Sequence, residues 1–158
     1  MELTLRPLMP DDAAAARAFV SAQFDNERYR ARALEVLASA LEFEDPEYMA
    51  LLALDESDQH VVGVALFGTV AGARSVVKLH GIIASERAAA EALVNAVRRA
   101  SEQSGERMIV TEVPDDAAFA TTTAALEAGG FVEEGRVPDF VRDGVALRLL
   151  VRPLFDAQ

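Results

Sequence analysis

Cysteine is absent from this 158-residue chain. No thiol nucleophile, disulfide framework or thiolate-ligated zinc or iron–sulfur site is therefore available to it. Histidine is scarce as well: His60 and His80 are the two present, and no local carboxylate pattern beside them makes a metal-ligand set. Lysine occurs once, as Lys78. No apolar run approaches the roughly 18 residues a membrane span needs. The N-terminal stretch has no basic segment leading into an apolar run, as a secretory signal would. These absences, with the reducing environment that a cysteine-free chain tolerates, lead to the expectation of a cytoplasmic protein. No linker, low-complexity tract or repeat interrupts the sequence, so one domain is expected over residues 1–158.

Positive charge is also in short supply. Lys plus Arg number 15 against 26 Asp plus Glu, a formal charge of −11. Such a chain repels phosphate backbones, so no nucleic-acid partner is expected. It opposes an anionic cofactor unless positive groups are placed locally, and it favours amine-bearing partners. Net negative charge also simply keeps a protein soluble. What is abundant is apolar: 51% of residues are hydrophobic, a globular composition.

Periodicity predicts the elements. Leu3-Thr4-Leu5-Arg6 alternates as a strand, stopped by Pro7. Asp11 and Asp12 open a first helix, with Ala16, Phe19, Val20 and Phe24 as its apolar stripe. A second helix is expected from Glu27 to Glu42, facing inward through Leu34, Leu37, Ala38 and Leu41. Three strands follow: 48–54, 61–70 and 75–84. A third helix, 86–104, is expected to be capped by Ser85 and stopped by Gly105, with Ala89, Leu93, Ala96, Val97 and Ala100 inward. The strand 108–113 precedes a fourth helix opened by Pro114-Asp115-Asp116 and closed by Gly129-Gly130. Strands 131–137 and 145–151 end the chain. A meander followed by one strand–helix–strand crossover implies a mixed α/β sheet of about seven strands, mostly antiparallel and twisted, with four helices on both faces. The crossover places strands 75–84 and 108–113 side by side and parallel.

This order of elements resembles the GNAT superfamily of acyl-CoA-dependent N-acetyltransferases along nearly the whole chain. The resemblance is carried by Leu5-Arg6-Pro7 with Asp11-Asp12, by Leu126-Glu127-Ala128-Gly129-Gly130-Phe131-Val132, and by the hairpin from Arg136 to Gly144. It implies a GNAT-like fold and acetyl-CoA as co-substrate. In the family, a glycine-rich loop after the fourth strand closes backbone N–H groups around the cofactor pyrophosphate. The corresponding segment here, Ile82-Ile83-Ala84-Ser85-Glu86-Arg87-Ala88, is shorter and free of glycine, and Glu86 puts a carboxylate where phosphate would approach. The resemblance implies that Ile82, Ile83 and Ala84 hold the pantetheine arm as an added strand. It also implies that Ser85, Arg87 and Ala88 face the pyrophosphate. Ser85 and Glu86 acting only as helix caps is the alternative. Many relatives carry a Tyr acid where this chain has Leu126, which cannot donate a proton.

Transfer of an acetyl group to an amine needs a base. Glu112, near the C-terminal end of its strand, is the first candidate, acting directly or through water. A solvated Glu or a partner for a cation is the bland alternative. His80 lies on the same face as Lys78 and is read as a base, a cleft lining or a structural histidine. Asp115 and Asp116 are read as helix caps. Two functions follow. One is an N-acetyltransferase acting on a small-molecule amine or a peptide N-terminus. The other is an inactive GNAT-fold binding module, working as a homodimer or paired with another GNAT protein.

Overall fold

The computed structural model describes residues 1–155; residues 156–158, the end of the expected domain, lie outside it. Alternation of Leu3, Leu5 and Pro7 with polar neighbours makes the first strand, β1 (Leu3–Pro7). A 3-10 turn at Pro10–Asp12 leads into α1 (Ala13–Ala22) and then α2 (Glu27–Ala40). The Arg6 guanidinium grips the Asp12 carboxylate through two bonds of 2.7 and 2.8 Å, and the Met9 N–H donates to the same carboxylate at 2.7 Å. That clamp fixes the angle at which β1 gives way to α1.

Beyond α2 come β2 (Met49–Asp55), β3 (Val61–Thr69), β4 (Val76–Ala84), α3 (Arg87–Gln103), β5 (Met108–Pro114), a 3-10 turn at Ala117–Phe119, α4 (Ala120–Ala128), β6 (Val132–Arg142) and β7 (Val145–Pro153). Among the described residues the strands form one seven-stranded sheet in the order β1-β2-β3-β4-β5-β7-β6. The β4–β5 pair is parallel and the rest are antiparallel. Strand, helix and crossover order match the mixed α/β architecture expected from the sequence. No helix among the described residues is long and apolar enough to cross a membrane.

Neighbouring residues on the central strands serve opposite layers, because side chains alternate along a strand. Leu52, Val64, Leu66 and Ile83 pack under α1 and α2. Ala53, Ala65, Ile82, Ile109 and Leu150 pack under α3 and α4. This is why β2 and β3 read as nearly continuous apolar runs. On β6 and β7, by contrast, Val132, Val137 and Leu149 remain exposed.

Several boundaries and faces differ from the expectation. The buried stripe of α2 includes Val36, Leu37 and Ala40, with Tyr29 and Ala33 packed against the same cluster, while Ala38 is exposed. The expected Leu34, Leu37 and Leu41 pack against that cluster too, and the helix stops at Ala40, short of Glu42. On α3 the buried set adds Ala90, Val94 and Ser101, and Ala100 is exposed. Ser101 can be buried because its hydroxyl donates to the Val97 carbonyl at 2.7 Å. Pro114 does not open α4 but closes β5 opposite Leu147. β6 runs past Pro138 to Arg142; it is an edge strand, where a missing N–H costs no ladder bond.

Two glycines separate packing from space. A Cβ on Gly68 would lie 2.2 Å from the backbone of Glu47, whereas a Cβ on Gly81 would meet nothing within 4 Å. Gly68→Ala is expected to destabilise the fold by about 1–3 kcal/mol, and Gly81→Ala to leave the melting temperature unchanged. Thermal denaturation of both variants checks the contrast.

Candidate active site where β4 and β5 part

Parallel pairing between β4 and β5 runs from Val76–Met108 to Leu79–Thr111 and ends there. β4 continues along β3 as far as Ala84, and β5 continues along β7 as far as Pro114. Each strand keeps its antiparallel partner, and the sheet splits between them. The opening is a cleft of about 320 Å³. His80, Gly81 and Ile82 form one wall and Glu112 and Val113 the other, with Phe24, Tyr29, Phe119 and Phe140 completing it. Threonines bracket the parting. The buried Thr111 hydroxyl donates to the Leu79 carbonyl at the last rung, and Thr122 of α4 donates to the Ile82 carbonyl, both at 2.7 Å.

The backbone of β4 offers different groups to the two sides. Ser85 N–H donates to the Val62 carbonyl beside β3 at 3.0 Å, while the Ile82 carbonyl points the other way, to Thr122. Peptide groups alternate sides along an antiparallel strand. Ile82 and Ala84 therefore turn their backbones toward the parting, and Ile83 turns its backbone to β3. Of the three strand-edge residues read from the sequence, two face the cleft, and the Ile82 carbonyl is already engaged.

Glu112 stands on the cleft wall, half exposed, with Oε1 3.6 Å from Lys78 Nζ. The ion pair joins the two walls just at the split. His80 is the extra residue of a bulge: Leu66 pairs with Gly81 and Phe67 with Leu79, leaving His80 unopposed. Its Nε2 lies 2.7 Å from the Glu47 carbonyl. A carbonyl only accepts, so Nε2 carries the hydrogen and Nδ1 the lone pair. The ring stacks on Tyr48 with centroids 4.8 Å apart. Burial, with help from the charges of Lys78 and Arg32, pushes His80 below the ordinary imidazole range, against the pull of Glu47. The ring is neutral at pH 7.

At the far end of β4, the start of α3 differs from the expected cap. Glu86, not Ser85, is the N-cap: its backbone is extended, at φ −156° and ψ 161°. Ser85 is exposed, and its hydroxyl donates to the Val62 carbonyl at 3.3 Å. Arg87 is paired with Glu91 at 2.7 Å, and Ala88 is exposed. Glu86 Oε1 is sealed from solvent without a hydrogen-bond partner among the described residues. Arg87 and Ala88 thus open the helix while Ser85 precedes its cap, and the Glu86 carboxylate stands between them in the chain. Leu126 is fully buried in the core.

A clasp that sequence reasoning missed closes the rim. Tyr29 Oη donates to Asp116 Oδ2 at 2.9 Å, and Arg142 donates to both at 2.9 and 2.6 Å. It joins α2, the loop before α4 and the end of β6. The partners lie 87 and 113 positions from Tyr29 in the chain, so no local pattern announces them. Asp116 also accepts from the Ala118 N–H, as the expected cap would. Asp115 instead pairs with Arg136 at 2.6 Å.

No protein-family model matches the chain, and no curated protein does. Solved structures match along its whole length. A Desulfovibrio desulfuricans protein assigned to the GNAT family of acetyltransferases is 21% identical, with a TM-score of 0.82, covering 98% of this chain and 100% of its own. Aminoglycoside 6'-acetyltransferase type Ii is 15% identical, with a TM-score of 0.79, covering 98% and 99%. A Salmonella typhimurium protein assigned as an acetyltransferase, solved with its cofactor acetyl-CoA, is 16% identical, with a TM-score of 0.73, covering 100% and 97%. The chain has the fold of the GNAT acetyltransferases.

The Asp116 carboxyl is held below the ordinary range, first by the Ala118 N–H and then by Arg142 and Tyr29. A lowered carboxyl pKa stabilises the fold above the unfolded value of about 3.9 and loses that contribution as pH falls through the folded value. Asp116→Asn is therefore expected to melt below the wild type at pH 6, with the gap closing as pH drops from 4 toward 2. Melting curves across that range check it.

Proposed function

We propose that the protein is an acyl-CoA-dependent N-acetyltransferase, working in the cytoplasm, that moves an acetyl group from acetyl-CoA to the amine of a small molecule or a peptide N-terminus. The observation that carries this reading is the parting of β4 and β5, with backbone on one wall and a carboxylate on the other. Acetyl-CoA is consumed and is treated as a substrate. Its extended arm fits beside Ile82 and Ala84 as an added strand would, and its diphosphate would lie toward Ser85, Arg87 and Ala88 at the start of α3. Ile83 supports this wall from behind, through its pairing with β3. The open space at Gly81 gives the acetyl end room.

Glu112 draws an ammonium into the cleft and takes its first proton, through water. The free amine then attacks the thioester carbonyl. Lys78 keeps the Glu112 carboxylate on the cleft side of the split. Nothing in this scheme calls for a metal.

A second reading, an inactive GNAT-fold binding or dimerisation module, draws on one observation: Glu86 occupies the helix terminus where an anion would dock. Isothermal titration with acetyl-CoA at low salt separates the two. Micromolar binding is the expected result; no heat up to millimolar acetyl-CoA would sink the enzyme reading. Glu86→Gln is expected to tighten acetyl-CoA about two- to five-fold, the equivalent of the 0.3–1 kcal/mol a charge is worth at a helix terminus. Glu112→Gln is expected to lower kcat by about 10²-fold or more while leaving acetyl-CoA affinity intact; unchanged turnover would remove Glu112 from the mechanism.

A further inference from the structure

Acetyl transfer to an amine moves two protons. One leaves the ammonium before attack, and the other must reach the departing sulfur. A thiol ionises near pH 8.5, so at pH 7 the released sulfur ends as the neutral thiol and a proton has to be delivered to it. The titratable side chains lining the cleft are Tyr29, Arg32, Lys78, His80 and Glu112. Tyr29 already donates its hydrogen to Asp116. Arg32 does not give up a proton, and Lys78 is paired with Glu112. His80 is the group left with a usable lone pair.

Its placement is specific. Pairing of β4 with β5 ends at Leu79, and His80 is the next residue, turned out by the bulge. The Glu47 carbonyl fixes which nitrogen bears hydrogen, and the Tyr48 ring lies nearly parallel to the imidazole, at 14°. Nδ1 has no hydrogen-bond partner among the described residues, nor is it among the sealed unpartnered atoms, so it is accessible, on a residue that lines the cleft.

Resting on the acetyltransferase reading above, we infer that His80 is a catalytic residue that carries the second proton from the attacking nitrogen to the leaving sulfur. The amine lone pair forms the C–N bond, and the carbonyl pair moves to oxygen. The nitrogen, now positive, gives one proton to Nδ1. The oxygen pair re-forms the carbonyl, the C–S bond breaks, and the sulfur leaves with its electrons. The imidazolium returns its proton to that sulfur. The products are an amide and the free thiol of coenzyme A, and His80 ends as it began.

The groups facing His80 suit a shuttle. Lys78 on its own strand and Arg32 on α2 favour the neutral ring, Glu47 opposes them, and Glu112 faces it from β5 across the cleft. An imidazolium more acidic than a free one gives its proton readily to a thiolate. The ring must be neutral to accept, so turnover should rise with pH through the titration of His80.

The test combines nitrogen NMR of the histidine rings with turnover. His60→Gln assigns the two ring signals. Acetyl-CoA is the donor, hydroxylamine the probe acceptor, and released thiol the readout. The expected results are an unprotonated Nδ1 whose signal moves on adding acetyl-CoA, and an acidic limb of kcat that coincides with the His80 titration. His80→Gln, which keeps an N–H for the Glu47 carbonyl, should lose that limb and about 10²-fold in kcat, with KM and melting temperature unchanged. A protonated Nδ1, a signal unmoved by bound acetyl-CoA, or wild-type turnover in His80→Gln would each overturn the shuttle and leave the acetyltransferase reading standing. Acetyl-CoA bound with no thiol released overturns the shuttle and leaves a binding module. No binding at all overturns both.

Discussion

Two central strands are each bonded to two neighbours, and the parallel pairing between them lasts for four rungs, Val76–Met108 to Leu79–Thr111. Every buried peptide group must find a partner; β7 supplies partners along the whole of β5, and β3 along β4 from Val77 to Ala84 except at the His80 bulge. The strands can therefore separate without orphaning both of their edges. What the separation leaves is a row of β4 backbone groups facing empty space rather than another strand. Thr111 and Thr122 satisfy carbonyls at the margin of the gap, so the parting begins at a defined residue. The cleft, the carboxylate on one wall and the histidine bulge on the other all follow from that one interruption of a sheet.

Charge shapes the same region in two opposed ways. The chain carries −11 overall, yet the cleft pairs its single lysine with Glu112 and is lined by Arg32 as well. At short range, a few positive groups lining the cleft matter more there than the many carboxylates spread over the surface. At the far end of β4 the balance reverses, where Glu86 sits at the helix terminus that would otherwise welcome an anion. One end of the β4 edge brings a lysine, a histidine and a carboxylate to the cleft. The other end places the Glu86 carboxylate at the start of α3.

Much of the architecture was legible because burial on both faces leaves a clear trace. The runs Leu51–Leu54 and Val61–Phe67 are too apolar to be anything but interior strands, and α3 between Val76–Ala84 and Met108–Pro114 makes the parallel crossover. Errors arose where local signals were ambiguous. The leucines of α2 do face the sheet, together with Tyr29, Ala33 and Val36, and Ala38 is the one expected inward residue that turns out to solvent. Ser85 has a better capping side chain than Glu86, yet the chain leaves β4 through Ser85 while still bonded to Val62, so the helix starts one residue later. Pro114 reads as a helix opener but closes a strand, because Leu147 of β7 is there to face it.

The sequence by itself determined the elements, their order and the mixed sheet, since hydrophobic period and turn residues act over a few neighbouring positions. It also singled out Glu112 and His80 as groups with chemistry to offer and removed Leu126 from any proton transfer. Only the tertiary structure decided which peptide groups of β4 face the cleft, since a single bulge resets their alternation. It alone fixed the tautomer of His80, through a carbonyl 33 positions away, and assembled Tyr29, Asp116 and Arg142 from three distant segments. Those features depend on through-space contacts between residues far apart in the chain, and no local period encodes them.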